Sequence, residues 1–255
     1  MIIAVASPVH GQAGNTTVAL LLSLLLADTQ GKRVCLTHLS ERSSAFYTYL
    51  GLDRLTDQTC TPNQVAKLIR CGSITPGDFR NYCLRASENL DIFSNNTMSF
   101  DEEDMHLTQN FLFEHQPFDF LVVDIDVNLA SDFAKQTLSR ADLVVVSLTQ
   151  SLNTYERYVE VMGEEYILKS LFLCNHYSPD IGPLPGFAKM LGVPAGHCVK
   201  LCHSPSLMKL SNEGKLSALL TYAKQRPLPV LADHMKALTL NVMGRFGLSA
   251  VWKRA

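Results

Sequence analysis

The loop His10-Gly11-Gln12-Ala13-Gly14 lies between a short apolar run, Ile2 to Ala6, and a long apolar stretch, Thr16 to Ala27. A strand, a loop and a helix in that order direct backbone N–H groups into one place, and the helix start adds about half a positive charge there. The combination favours an anion, above all phosphate. Gly11 and Gly14 suit the role because backbone approaches a phosphate closely only where no Cβ atom intervenes. Thr16 and Thr17 stand where a hydroxyl helps to hold Mg²⁺. The full pattern, Gly-x-x-x-x-Gly-Lys-Ser/Thr, is nevertheless not met: its first glycine is absent and Asn15 occupies the lysine position. Without that lysine no point charge reaches the β and γ phosphates. A charge-assisted hydrogen bond contributes roughly 1.5–3 kcal/mol, so affinity falls about tenfold to a hundredfold. The same glycines also suit a turn that merely lets helix and strand pack closely.

Other chemistry-bearing groups are sparse. Cys198, Cys202 and His203 are close in sequence, but a zinc site takes about four ligands, usually with a tighter pair spacing. No metal site is expected there. The seven cysteines form no Cys-x-x-Cys pair and sit singly among apolar residues, as reduced core fillers do. Asp101-Glu102-Glu103-Asp104 reads as the acidic start of a helix. The end of the chain, Arg245 to Arg254, sets Phe, Leu, Val and the only Trp beside Arg and Lys. That composition suits either a short tail touching a membrane surface or a partner, or a last helix packed on a sheet and followed by a frayed end.

The elements that must position these groups follow from the apolar runs. Strands are expected near residues 2–7, 33–39, 90–93, 119–124, 143–147 and 171–174, with Cys198 on a further strand. Helices are expected over Thr16–Ala27, Asn63–Arg70, Glu103–Glu114, Ser131–Leu138 and Thr154–Met162, and helical spacing recurs from Val230 to Leu240. Near-continuous apolar strands alternating with helices specify an α/β three-layer domain with a mostly parallel sheet. Ser178 to Gly186 reads as a surface loop, and residues 1–255 as a single domain with a tail from about 244 to 255. The Val18–Ala27 run is too short for the roughly 20 residues that cross a bilayer, and a polar loop precedes it in place of positive charge, so a cytoplasmic protein is expected. With 47% hydrophobic and 18% charged residues, disorder is excluded, and a net charge of −2 disfavours specific nucleic-acid binding.

Taken in order, these segments resemble the ParA/MinD-like deviant-Walker P-loop ATPases over roughly residues 1 to 220. The family loop Lys-Gly-Gly-x-Gly-Lys-Thr-Thr is similar to His10-Gly11-Gln12-Ala13-Gly14-Asn15-Thr16-Thr17. The segment Tyr49-Leu50-Gly51-Leu52, the strand Phe118 to Asp124 (which looks like Walker B), Ala141-Asp142 before an apolar strand, and Leu173-Cys174-Asn175 are each similar to a family segment. The resemblance implies that Gly11, Gly14, Thr16, Thr17, Asp124 and Asn175 hold ATP or ADP with Mg²⁺, Asn175 at the adenine edge.

It also locates the departures. His10 and Asn15 replace the two lysines, and His38 and Ser40 the two acidic residues that follow the second strand. Phosphoryl transfer rests on charge at the γ-phosphate and a positioned water, and all four substitutions fall there. The expectation is therefore a degenerate member with weak or no nucleotide binding, acting as a positioning or scaffold factor for protein partners of a bacterial machine, with TadZ-like service at a pilus or secretion system as the setting. Any homodimer would be independent of ATP, and the tail would supply any membrane contact. The alternatives are a slow ATPase with an atypical loop and a DNA-partition protein.

Overall fold

A computed structural model describes residues 1–9, 11, 13–28, 31–39, 44–52, 60–95, 101–125, 128–162, 164–220 and 229–249. His10, Gln12, Ser40, Glu41, Arg42 and the tail from Ala250 onward lie outside the described residues.

Eight strands form one sheet: β1 (Ile2–Ala6), β2 (Val34–His38), β3 (Leu84–Arg85), β4 (Leu90–Ser94), β5 (Phe120–Asp124), β6 (Leu143–Leu148), β7 (Ser170–Tyr177) and β8 (Cys198–Cys202). Their order is β3-β4-β2-β5-β1-β6-β7-β8, and among the described residues only the β3–β4 pair is antiparallel. The central β1 pairs with β5 on one side and β6 on the other. Chain connections therefore diverge at β1, and its carboxyl end is the switch point at which open α/β sheets form their crevice. The register sets Val5 beside Asp124, so the last residue of β5 reaches the start of the first loop.

Nine helices are described: α1 (Asn15–Ala27), α2 (Phe46–Leu50), α3 (Pro62–Arg70), α4 (Glu102–His115), α5 (Asp132–Arg140), α6 (Leu152–Val161), α7 (Leu184–Leu191), α8 (Pro205–Asn212) and α9 (Pro229–Arg245). Strand side chains alternate between two cores, as the period of two requires. Ile3 and Val5 join α1, α2, α8 and α9 on one face. Ile2, Ala4 and Ala6 join α3 to α7 on the other. Helix α1 is buried at every position from Val18 to Ala27, which explains an apolar run with no polar face. Helix α9 covers it with a single stripe, Leu231, Met235, Leu238 and Val242.

The acidic start expected at Asp101 is a helix cap: its side chain accepts from the Asp104 N–H at 3.1 Å. The loop expected over Ser178 to Gly186 is shorter than that, because Pro183 caps α7 and the helix begins at Leu184. Pro185, in its first turn, sits where a missing N–H costs nothing. The tail expected from about residue 244 begins as folded structure. Phe246 meets Phe120 edge-on with ring centroids 5.8 Å apart, and Leu248 packs against the same core. Among the described residues no helix is long and apolar enough to cross a membrane.

One backbone crossing constrains the rim of the sheet. Gly51 ends α2 at φ +65°, and Gly214 follows α8 at φ +67°, with the two backbones in direct contact. A Cβ on Gly51 would overlap the Gly214 carbonyl oxygen. Gly192 has the same conformation, φ +68°, but open space around it. Gly192→Ala should therefore lose only the left-handed penalty of about 1–2 kcal/mol. Gly51→Ala adds an overpacking cost of about 1–3 kcal/mol, so urea unfolding should separate the two variants clearly.

Candidate functional site

The loop after β1 closes on Gly14, which precedes α1 in the left-handed conformation, φ 62° and ψ 37°. Two reasons demand glycine. A side chain would be strained at that φ, and its Cβ would stand 2.9 Å from Asn175 Nδ2. With no side chain capping α1, its first-turn N–H groups have no intrahelical partner and carry the helix's positive end.

The loop is clamped from below. Ser147 Oγ on β6 donates to the Ala13 carbonyl at 2.6 Å, and Asn175 Nδ2 on β7 donates to the same oxygen at 2.7 Å. Both side chains and Ala13 are buried. Asn175 Oδ1 accepts from the His176 N–H at 2.9 Å, so both ends of this amide are used within the chain. Resemblance assigned Asn175 to an adenine edge; here it holds the loop as well as facing the cavity.

A second amide ties the loop to β5. Asn15 Nδ2 lies 2.6 Å from Asp124 Oδ1 and 3.1 Å from each of the Val5 and Ile125 carbonyl oxygens. Three acceptors around one nitrogen fix the amide orientation, because a flipped side chain would face them with oxygen. On the far side of Asp124, His38 Nδ1 is 3.0 Å from the backbone carbonyl and 3.7 Å from Oδ2. The His38 ring is buried and meets Phe46 edge-on. Where the resemblance places a lysine, the chain thus holds a neutral amide engaged with the Asp124 carboxylate.

Two cavities open above these groups. One, of about 220 Å³, is lined by Gly11, Gly14, Thr16, Thr17, His38 and Asp124. The other, of about 240 Å³, includes Gly11, Gly14, Thr17, Tyr49, Asn175 and His176. They share Gly11, Gly14, Thr17 and Tyr49 and form one bent cleft around the loop. All six residues expected from sequence line it. Sequence reasoning missed Ser147, Tyr49 and His176. Ser147 reads only as a polar residue within an apolar strand, and nothing local points Tyr49 or His176 to the loop.

Four cysteines, Cys35, Cys83, Cys174 and Cys198, are buried as core fillers, whereas Cys60 and Cys202 are half-buried and Cys71 is exposed, against the expectation for all seven. Burial pushes the Cys174 thiol up to about 12 and Cys198 up to about 11, which leaves both protonated and inert at neutral pH. Among the described residues no group of three or more His, Cys, Asp or Glu is arranged to hold a metal ion.

No family model matches the chain, and no curated protein matches it in sequence. Solved structures do match across nearly its whole length. A ParA family ATPase from Chlorobium tepidum superposes with a TM-score of 0.72 at 14% identity, over 94% of this chain and 97% of that one. The septum site-determining protein MinD from Pyrococcus horikoshii, in complex with Mg-ADP, gives 0.67 at 20% identity over 94% and 95%. MinD in the MinC:MinD cell division complex of Aquifex aeolicus gives 0.70 at 16% identity over 99% and 98%. The chain therefore has the fold of the ParA/MinD-type P-loop ATPases.

The shared acceptor makes a prediction. In Ser147→Ala or Asn175→Ala, one donor still satisfies the Ala13 carbonyl, and each loss should cost about 1 kcal/mol. The double variant leaves that buried oxygen without either donor, which adds a penalty of about 1–3 kcal/mol to the two single losses. Urea unfolding of all four proteins should show a double loss larger than the sum of the singles.

Proposed function

We propose that this chain is a positioning or scaffold factor built on a ParA/MinD-type frame, with weak or no binding of ATP or ADP and no hydrolysis. The observation that carries the reading is the Asn15 amide at 2.6 Å from Asp124. It sits where the resemblance places a lysine, supplies no charge to a phosphate, and engages the carboxylate that would help to hold Mg²⁺. The missing charges at His10 and Ser40 support the same conclusion. Gly11, Gly14, Thr16, Thr17, Asp124 and Asn175 are proposed as whatever nucleotide-binding capacity remains. The setting proposed is the cytoplasm, in TadZ-like service at a pilus or secretion machine, with membrane contact confined to the tail. A septum site-determining protein of the same fold supports a positioning role, and a net charge of −2 disfavours DNA.

Protein partners are the expected ligands. Leu152 and Val159 stand one heptad apart on a common face of α6, exposed by 63% and 60%. An alternative, a slow ATPase, is favoured by one observation: Thr16, Thr17 and Asp124 all line the same cleft.

Titration with labelled ATP, with and without Mg²⁺, and a turnover assay separate the two readings. Turnover should be absent, and any residual signal should persist in Asp124→Ala because it comes from a contaminant. Turnover abolished by that substitution would establish the slow ATPase. Asn15→Lys restores one point charge and should tighten ATP binding by about tenfold to a hundredfold, still without turnover.

Self-association should ignore nucleotide. His10 is shorter than lysine and mostly uncharged near pH 7, so it is a poor bridge to a phosphate on a second subunit. Sedimentation velocity should give the same mass with and without ATP and Mg²⁺. A monomer that dimerises only with ATP would overturn this expectation.

A further inference from the structure

At the carboxyl end of β7 the sheet breaks register between Cys174 and Tyr177. The residue at the break, His176, has φ 53°, one of two non-glycine residues with positive φ among the described residues. An L-residue other than Gly, Asn or Asp pays about 1–2 kcal/mol for that conformation. Its backbone is held there by the Asn175 side chain below it and by Tyr177 re-pairing with Cys202 beyond it. The bulge turns the His176 ring toward His203, the first residue after β8. Their Nδ1 atoms face one another at 3.4 Å, with the rings tilted by 49°.

That separation is long for a hydrogen bond, whose usual length is about 2.9–3.0 Å. It does match another geometry. Two imidazole nitrogens bound at about 2.0–2.1 Å to one tetrahedral Zn²⁺ stand about 3.3–3.4 Å apart.

The geometry points to a two-histidine site, His176 and His203, for a borderline divalent transition metal such as Zn²⁺. No cluster of three protein ligands exists among the described residues, so water or an outside ligand fills the other coordination positions. Imidazole donors select Zn²⁺, Cu²⁺ and Ni²⁺ over Mg²⁺, which takes oxygen. The site lies at the edge of the bent cleft. Metal on Nδ1 leaves the His176 proton on Nε2, which is 3.9 Å from where a Gly14 Cβ would stand. The bound ion thereby fixes a hydrogen-bond donor against the phosphate-type loop.

Calorimetric titration of the full chain with ZnCl₂, without nucleotide, tests this independently of the function proposed above. One Zn²⁺ per chain should bind, and the thermal midpoint should rise with Zn²⁺ concentration. His176→Asn keeps a residue type that tolerates positive φ, and His203→Gln changes an exposed side chain. Each should weaken binding by at least the about 10–100-fold that losing even an outer partner of a metal ligand costs, and each should melt at a Zn²⁺-independent temperature. Failure of the unaltered chain to bind Zn²⁺, or a folded variant of either kind titrating like it, would overturn the assignment.

Discussion

The Ala13 carbonyl oxygen receives hydrogen bonds from two strands at once, Ser147 on β6 and Asn175 on β7. A carbonyl in the middle of a glycine-bearing loop would normally look to water. Here it is buried, so Ala13 must keep its place to satisfy it. Everything around the cleft depends on that fixation. It sets Gly14 in its left-handed turn, aims the start of α1 at the cavity, and brings Asn15 within reach of Asp124. The Ala13–Asn15 end of the loop is held by hydrogen bonds from inside the protein.

This separates frame from chemistry. A nucleotide-dependent loop gains its order from ligand charge, and a lysine supplies much of the attraction. In this chain a neutral amide shares one nitrogen among Val5, Asp124 and Ile125. The amide links α1 to the ends of β1 and β5 by hydrogen bonds alone. The interaction is local and short, and it is barely sensitive to the ionic strength that screens a lysine–phosphate contact.

The sheet was largely legible in the sequence. Buried parallel strands must be apolar on both faces, and Phe120 to Asp124 or Leu143 to Leu148 cannot be read otherwise. The edge was harder. Leu84–Arg85 is a two-residue strand whose pairing depends on Asp91 and Ile92 and on no pattern of its own. The candidate site was legible where residue type decides it, at Gly14, Thr16 and Asp124. It was not legible where backbone geometry decides it. Nothing in the letters announces that His176 adopts φ 53°, or that this turns its ring toward a residue 27 positions away. Asn175 shows both sides: the sequence placed it among the site residues, at an adenine edge, while the hydrogen bond that ties it to Ala13 emerges only when β7 lies beside β6.

The contact between Gly51 and Gly214 bears on the width of the cleft. Tyr49 and Met208 face the larger cavity from α2 and α8, and the two glycines lie just past the ends of those helices. Backbone rests directly on backbone there, with no side chain between to compress or change rotamer. The two walls therefore behave like jaws against a mechanical stop, and their gape is independent of the residues that line them. Substitutions at Tyr49 or Met208 can alter what the cleft recognises while the opening itself keeps its size.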